Sequence, residues 1–238
     1  MSADNGYTNA VARIFTAKGT PVTPEILLLE GDAASAAGDD AIDAFPTSLA
    51  LTPDGTLAAL VQDEMSGSCL HSYLVRVPPG GSPALQALGS IFCSPAYFGS
   101  SLAMGKDGSL VATWSDYSIQ AQRFAPDGSP RGQYFGVSTG TDGQSDASVA
   151  LQAGGSFVIV WTEEFGRDGD GSGIFGRAFA PNGTPRTQDF RINVTTAGEQ
   201  FDPAIAAARQ GPVVVVWSQN LPPDGRSDIF ARVLSAKR

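Results

Sequence analysis

The sequence lacks most of the residues and motifs on which common catalytic and cofactor sites depend. It has one histidine, His71, and two cysteines, Cys69 and Cys93, among 238 residues. A nucleophile that needs a histidine base therefore has one candidate partner, and no G-x-S-x-G motif accompanies it. P-loop and C-x-x-C motifs are also absent from the sequence. These absences argue against the triad hydrolases, P-loop nucleotide-binding proteins and thiol oxidoreductases.

Positive charge is also scarce, and long apolar runs are missing. The chain has 24 acidic and 15 basic residues, which gives a formal net charge of −9. Such a surface repels nucleic acid and anionic membranes, so neither is expected as a partner. No apolar run approaches the roughly 20 residues that span a bilayer, so membrane insertion is not expected. The first residues contain no basic segment followed by an apolar one, so a signal peptide is either removed or not used.

Glycine and proline are plentiful instead, and they mark an internal repeat. The segment "RAFAPNGTP" (177–185) recurs with its glycine at Gly19, Gly81, Gly128 and Gly183, and Arg238 stands at the fifth place. The spacings are 62, 47, 55 and 55 residues. A period near 50 residues is typical of propeller blades or of a solenoid.

A second set of segments recurs with the same period. Apolar runs end in tryptophan in "LVATW" (110–114), "FVIVW" (157–161) and "VVVVW" (213–217), and "LAALVQ" (57–62) is a degenerate copy. Each run follows a Gly-containing turn, and a further short strand precedes each turn. One unit is therefore strand a, turn, strand b, variable loop, strand c, turn, strand d. The nearly continuous apolar run of strand b predicts a strand that is covered on both faces.

These repeats predict an all-β fold, a β-propeller built from about four to five four-stranded repeats of roughly 47–62 residues. We expect a single domain, residues 1–238, with units at about 1–43 (partial), 44–94, 95–143, 144–199 and 200–238. The chain begins and ends at a strand c. Three forms of closure fit this phase: a five-bladed ring with a partial blade, a four-unit ring with a spare strand, or strand exchange between two chains.

The pattern G-x-F-V-V-V-W … I-F-x-R-x-F-x-x-x-G-x-P resembles repeats of bacterial secreted and surface proteins, including large adhesin-like ones. The resemblance covers almost the whole chain. It implies an extracellular or cell-surface location and carries no common chemistry.

The b–c and d–a loops vary, share one face of the predicted propeller and are rich in acids. Loops must be polar, so a solvated acidic surface is the simpler explanation of this composition. The alternative is a binding site, since binding sites commonly lie on variable loops of a rigid scaffold. The aromatic and acidic residues at this face are candidates for binding a glycan or a protein ligand, with packing between blades as the alternative for the tryptophans. These candidates are Trp114, Tyr117, Trp161, Glu163, Glu164, Phe165 and Trp217.

The loop "DGDGSG" (168–173) resembles the start of a calcium loop. Asp168, Asp170 and Ser172 supply oxygen ligands at alternate positions, as calcium requires. The third acid and the later bidentate glutamate of a calcium loop are missing. Calcium is therefore the one candidate cofactor, and a glycine-rich connection without metal is the alternative.

The two cysteines are expected to lie near each other. Cys69 begins a strand c and Cys93 follows the next strand d, and antiparallel pairing brings these two ends together. A disulfide is one outcome, which requires an oxidising compartment, and two buried thiols are the other.

The sequence thus favours a non-catalytic extracellular binding module, with carbohydrate as the candidate ligand, over an enzyme. The alternative is an assembly subunit that forms homo-oligomers through exchanged or added edge strands. A propeller hydrolase with paired carboxylates is a third and less favoured hypothesis, because no pair of acids recurs among the loops.

Overall fold

The computed structural model describes residues 8–30, 43–65, 69–93, 99–116, 118–140, 143–208, 211–221 and 226–234. The described strands fall into two compact units, Met1–Pro95 and Ala96–Arg238. No α-helix occurs in these ranges, and accordingly none of their helical segments is long and apolar enough to cross a membrane.

The first unit contains a two-stranded and a four-stranded antiparallel sheet. Its strands are β1 (Ala10–Ala12), β2 (Ile26–Leu29), β3 (Asp43–Leu51), β4 (Leu57–Met65), β5 (Cys69–Val77) and β6 (Ala84–Cys93). β1 pairs with β2, and β3 to β6 form a meander in chain order. Alternate apolar residues of β4, among them Leu57, Ala59 and Val61, pack into the core of this unit.

The second unit contains two four-stranded sheets and one three-stranded sheet, again as antiparallel meanders. Its strands are β7 (Ser100–Met104), β8 (Leu110–Asp116), β9 (Ser118–Phe124), β10 (Phe135–Gly136), β11 (Gln144–Leu151), β12 (Phe157–Glu163), β13 (Gly173–Phe179), β14 (Phe190–Arg191), β15 (Glu199–Ala207), β16 (Val213–Leu221) and β17 (Arg226–Leu234). Four-stranded meanders of this kind are propeller blades, so the predicted a–b–c–d unit is confirmed.

Two hydrophobic clusters explain the continuous apolar run of β12. Successive side chains of a strand point to opposite faces. Phe157, Ile159 and Trp161 pack on the β7–β10 side, and Val158 and Val160 pack on the β15–β17 side. β12 is buried throughout, which confirms the prediction of a strand covered on both faces.

β16 departs from that prediction. Its residues alternate, with Val213, Val215 and Trp217 buried, whereas Val214 is 37% and Val216 36% exposed. The sheet β15–β16–β17 is the last of the second unit, so no later sheet of that unit covers its second face.

The tight turns adopt the backbone that their glycines permit. Gly128 and Gly183 both have φ of 86°, and both donate their backbone N–H to the carbonyl three residues earlier. A side chain is strained in this left-handed region, so the repeated Asp-Gly and Asn-Gly steps are what the hairpins require.

The pairing of β5 with β6 places Cys69 opposite Cys93, as expected. Opposite Cα atoms in antiparallel strands lie about 4.5–5.5 Å apart, which suits a disulfide.

We expect the Cys69 and Cys93 thiols of protein from an oxidising compartment to resist alkylation until the protein is reduced, and then to take up two alkyl groups. Intact mass measurement on denatured protein checks this, with Cys93→Ser as the single-thiol control. Two alkylated thiols without reductant would contradict the disulfide.

Candidate active site

Two aspartates occupy the same irregular position at the start of β11 and of β15. The register of β11 shifts between Ser145 and Ser148, and that of β15 shifts between Phe201 and Ala204. The extra residues at these β-bulges include Asp146 and Asp202, each with φ of 54°. They are the two non-glycine residues of the described chain with positive φ. Aspartate tolerates this conformation better than most residues, and such backbone outliers cluster at functional sites.

Gly99, just before β7, allows the backbone of the second unit to approach Asp146. A Cβ atom at Gly99 would lie 2.8 Å from the Cα of Asp146 and 3.0 Å from its N. Real side-chain atoms do not come so close to a backbone, so this position accepts only glycine without a shift of the bulge. The repeat therefore places glycine, aspartate and aspartate at the equivalent positions 99, 146 and 202 of its last three copies.

The Asp146 carboxyl is linked to Glu164 through one hydroxyl. Ser145 Oγ lies 2.8 Å from Asp146 Oδ2 and 2.6 Å from Glu164 Oε1, and Thr162 Oγ1 donates to Asp146 Oδ2 at 3.2 Å. A serine hydroxyl carries one hydrogen. Both contacts of Ser145 are hydrogen bonds at once only when one of the two carboxyls is protonated and donates to Oγ. The arrangement thus suits a pair that holds a proton.

Burial raises the pKa of Asp146 above its ordinary value. The hydrogen bonds from Ser145 and Thr162 oppose this shift, and the negative charges of Asp202 and Glu164 add to it. Asp202 itself is exposed. Two neighbouring carboxylates in such different surroundings are the usual basis for dividing acid and base roles between them.

A buried polar cluster around Glu163 joins β11 and β12, the strands next to Asp146 and Glu164. Glu163 Oε2 accepts hydrogen bonds from Gln144 Nε2 at 3.1 Å, Trp161 Nε1 at 3.1 Å and Arg167 Nη1 at 3.2 Å. Gln144 Oε1 in turn accepts from the Ile119 N–H at 3.2 Å. Glu163 is therefore a satisfied buried charge that ties β11, β12 and the following loop together.

Arg167 extends the cluster to Asp189. Its Nη2 lies 3.0 Å from Asp189 Oδ2, and its guanidinium lies 4.8 Å from the centre of the Phe175 ring. Burial raises the pKa of Asp189, but hydrogen bonds from Thr139 and from Arg167 outweigh burial and lower the pKa overall. Glu163 and Asp189 thus hold Arg167 over the Phe175 ring. These contacts fix the start of the loop that carries Glu164.

The "DGDGSG" loop is attached by protein hydrogen bonds to the segment that runs from the end of β14 into β15. Asp168 Oδ2 accepts from Asn193 Nδ2 at 2.6 Å, Asp170 Oδ2 accepts from the Gly198 N–H at 3.2 Å, and Ser172 Oγ donates to the Gln200 carbonyl at 2.9 Å. Oxygens used in this way are not presented together to a cation. The described residues contain no group of three or more His, Cys, Asp or Glu that could hold a metal ion. Calcium binding by this loop stays a prediction that these contacts do not support.

The predicted aromatic ligands divide into buried and exposed ones. Trp114, Trp161 and Trp217 are all buried, with Trp161 fully so, and their ring faces pack against protein. Phe165 is 71% exposed, and its ring covers Gly143 next to Glu164. Tyr117 lies outside the described residues. Of the aromatic candidates that the structure describes, Phe165 alone offers a free ring face.

Comparison with known proteins adds structural relatives only. Neither a protein-family model nor a curated protein matches the chain. A thermostable family-43 glycoside hydrolase superposes with a TM-score of 0.50 at 10% identity, over 91% of this chain and 82% of that one. The chain has the β-propeller fold. A GH43 endo-arabinanase from Bacillus licheniformis gives 0.47 at 10% identity, over 94% and 92%. A protein of unknown function from Bacteroides caccae gives 0.46 at 15% identity, and the chain spans 66% of its length.

These relatives correct the functional prediction from sequence. The sequence predicted a non-catalytic binding module, with an assembly subunit as the alternative. The superposed family-43 glycoside hydrolase contradicts that prediction, because it is an enzyme. Neither Asp146 nor Asp202 is among the candidate residues that the sequence indicated. The sequence does contain a signal for them. The motif Gln-x-Asp occurs at the same position of two successive repeats, as Gln144 to Asp146 and as Gln200 to Asp202.

Proposed function

We propose that the chain is a glycoside hydrolase and that Asp146 and Asp202 are its catalytic carboxylates. The observation that carries the proposal is the Asp146 carboxyl, which is half-buried, has a raised pKa and neighbours a second, exposed acid. Hydrolysis of a glycosidic bond needs two carboxyl groups, one that donates a proton and one that assists the water or attacks the sugar. The fold shared with a family-43 glycoside hydrolase supports this reaction class.

Asp146 is the proposed general acid. Its raised pKa keeps the carboxyl protonated at pH values where an ordinary aspartate has lost its proton. In the reaction Asp146 transfers that proton to the bridging oxygen as the bond to the anomeric carbon breaks. The leaving sugar departs as a neutral alcohol, and Asp146 is left ionised.

Asp202 is the proposed base. It is exposed and lies at the same bulge position in the next sheet, so water reaches it. It takes a proton from the attacking water, whose oxygen forms the new bond to the anomeric carbon. The two aspartates together return to their starting states when one proton passes from Asp202 to Asp146 through solvent.

Glu164 and Ser145 are proposed to position the acid. The charge of Glu164 contributes to the raised pKa of Asp146, and Ser145 Oγ bridges the two carboxyls. The exposed ring of Phe165 follows Glu164 in the chain and supplies a face on which a sugar ring can stack. The substrate class is therefore a glycan, and the resemblance to secreted repeat proteins supports action outside the cell.

A panel of plant and bacterial polysaccharides and aryl glycosides tests the proposal. Purified protein is incubated with each substrate at several pH values, and the release of reducing sugar or aryl alcohol is measured. We expect hydrolysis of at least one member by the native chain and by Asp127→Asn, a turn aspartate that serves as the control. Absence of hydrolysis across a broad panel, or equal release by an Asp146→Asn, Asp202→Asn double variant, would overturn it.

A further inference from the structure

The second unit has a cleft at the end of its sheets that carries the tight turns. The cleft measures about 980 Å³, within the range of small-molecule sites. It is lined by the turns after β7, β9 and β11, and its charged residues are Lys106, Asp107, Arg123 and Arg131. Its lining includes Leu151, which lies five residues beyond Asp146 on β11, or about 17 Å along an extended strand. This cleft is therefore separate from the proposed hydrolytic site.

Arg123 and Arg131 face each other directly across one turn. The Arg131 N–H donates to the Arg123 carbonyl at 2.8 Å. The equivalent bond in other repeats joins Arg186 to Ala178, and Val22 to Ile14, each also at 2.8 Å. The turn therefore forms equally well without two cations, and the paired arginines are a feature of this one repeat.

Among the described residues, this arginine pair makes no salt bridge to a carboxylate. Like charges placed opposite each other destabilise a strand pair, by roughly 0.2–1 kcal/mol. The ion pairs among the described residues involve His71, Arg167 and Arg177, and none involves Lys106, Arg123 or Arg131. Hydrogen bonds from Ser109 Oγ and N lower the pKa of Asp107, and the charge of Arg131 lowers it further.

The Arg123 guanidinium is held in place while part of it stays unused. Nη1 donates to the Pro181 carbonyl at 2.9 Å, and Nη2 donates to the Arg131 carbonyl at 2.9 Å. Burial and then the charge of Arg131 lower the pKa of Arg123. A guanidinium has five N–H donors, so three have no hydrogen-bond partner within the part of the chain that the structure describes. The group is positioned by neutral carbonyls and keeps its full positive charge for another partner.

We propose that this cleft binds an oxoanion, the phosphate, sulfate or carboxylate group of a small molecule, between Arg123 and Arg131 with Lys106 at its edge. Arginine binds such groups through paired N–H donors, and an anion between two guanidiniums removes their repulsion. The chain as a whole has a net charge of −9, which repels anions. A local group of cations in the cleft offsets this repulsion where an anion would bind.

Calorimetric titration at low ionic strength tests the site with three separate probes: inorganic phosphate, sulfate and glucuronate. We expect at least one to bind, and the order of affinities identifies which group the site prefers. Arg131→Gln should weaken that binding by about tenfold or more, the effect of one lost charged hydrogen-bond pair. Arg186→Gln removes the same residue type at the same turn position of the next repeat and should leave binding unchanged.

Thermal unfolding gives an independent readout. Without added anion, Arg131→Gln should melt at the same temperature as the native chain or higher, because it removes a repulsion, and the anion should raise the melting temperature of the native chain alone. No binding of any of the three probes, or equal weakening by Arg131→Gln and Arg186→Gln, would overturn the proposal. Because glycan hydrolysis is measured separately, failure here leaves the proposed hydrolytic function untouched.

Discussion

Asp146→Asn is expected to slow hydrolysis of the identified glycan by about 10²–10⁴-fold, the usual contribution of a general acid. Asparagine adopts the left-handed backbone of Asp146, and its amide still forms hydrogen bonds with the hydroxyls of Ser145 and Thr162, so the fold is kept. What is lost is the proton. Initial rates with the native chain and with the variant at the optimum pH measure the effect.

The leaving group distinguishes an acid from a residue that only binds substrate. A dinitrophenyl glycoside departs without protonation, so Asp146→Asn should lose far less rate on it than on an unactivated glycoside. Asp202→Asn should lose rate on both substrates, because both need the attacking water. Equal losses by Asp146→Asn on the two substrates would contradict the assignment of the acid.

Stability provides the control for folding, and its sign follows from the raised pKa of Asp146. The folded chain binds this proton more tightly than the unfolded chain, whose pKa is near the ordinary value of 3.8. The stabilising effect is complete below 3.8 and is lost as the pH rises through the higher pKa of the folded state. Where Asp146 is ionised, asparagine removes a half-buried charge that is repelled by Asp202 and Glu164, so the variant should melt at the native temperature or above it.

Trp161→Ala is expected to lower the free energy of unfolding by about 3–5 kcal/mol, as large-to-small changes of buried aromatic residues do. The ring is fully buried among Ile119, Ile159 and Phe175, and its Nε1 donates to the buried Glu163. The variant therefore leaves both a cavity and an acceptor without its donor. Urea unfolding followed by circular dichroism measures the change.

Two variants make the Trp161 result specific. Trp161→Phe keeps much of the ring volume but removes the hydrogen bond, so it should cost less than Trp161→Ala. Phe165→Ala should change stability by less than about 0.5 kcal/mol, because the ring is 71% exposed. If Trp161→Ala proved as mild as Phe165→Ala, the indole would not be part of the core.

The strands were predictable because their signals are local and repeated. The apolar run 157–161 became β12, and the Asn-Gly step at 182–183 became the turn after β13, with positive φ at Gly183. The pairing of Cys69 with Cys93 followed from the unit order alone. The recurrence of tryptophan at one position of the repeat was also evident from the sequence. Recurrence alone, however, does not distinguish a tryptophan ring that packs in the core from one that binds a ligand.

The candidate site was not predictable in the same way. Asp168 and Asp170 looked like ligands because of their spacing, yet Asn193, 25 residues later, bonds to Asp168. Asp146 was not among the candidates, and its surroundings depend on Gly99, Ser145, Glu164 and Asp202. Two of these lie in the strands β11 and β15, one lies just before β7 and one just after β12. A pKa is set by burial and by neighbouring charges, and the spacing of residues along the sequence predicts neither of them.

The sequence by itself determined the order of strands, the turns between them and the propeller class, since alternation, apolar runs and Asn-Gly steps act over a few residues. Only the tertiary structure decided which acids lie together. It placed Asp146 and Asp202 at equivalent bulges, where the charge of Asp202 adds to the raised pKa of Asp146, and it paired Arg123 with Arg131 across one turn. The physical reason is that charges and buried hydrogen bonds act between side chains that are distant in sequence, and only packing sets those distances.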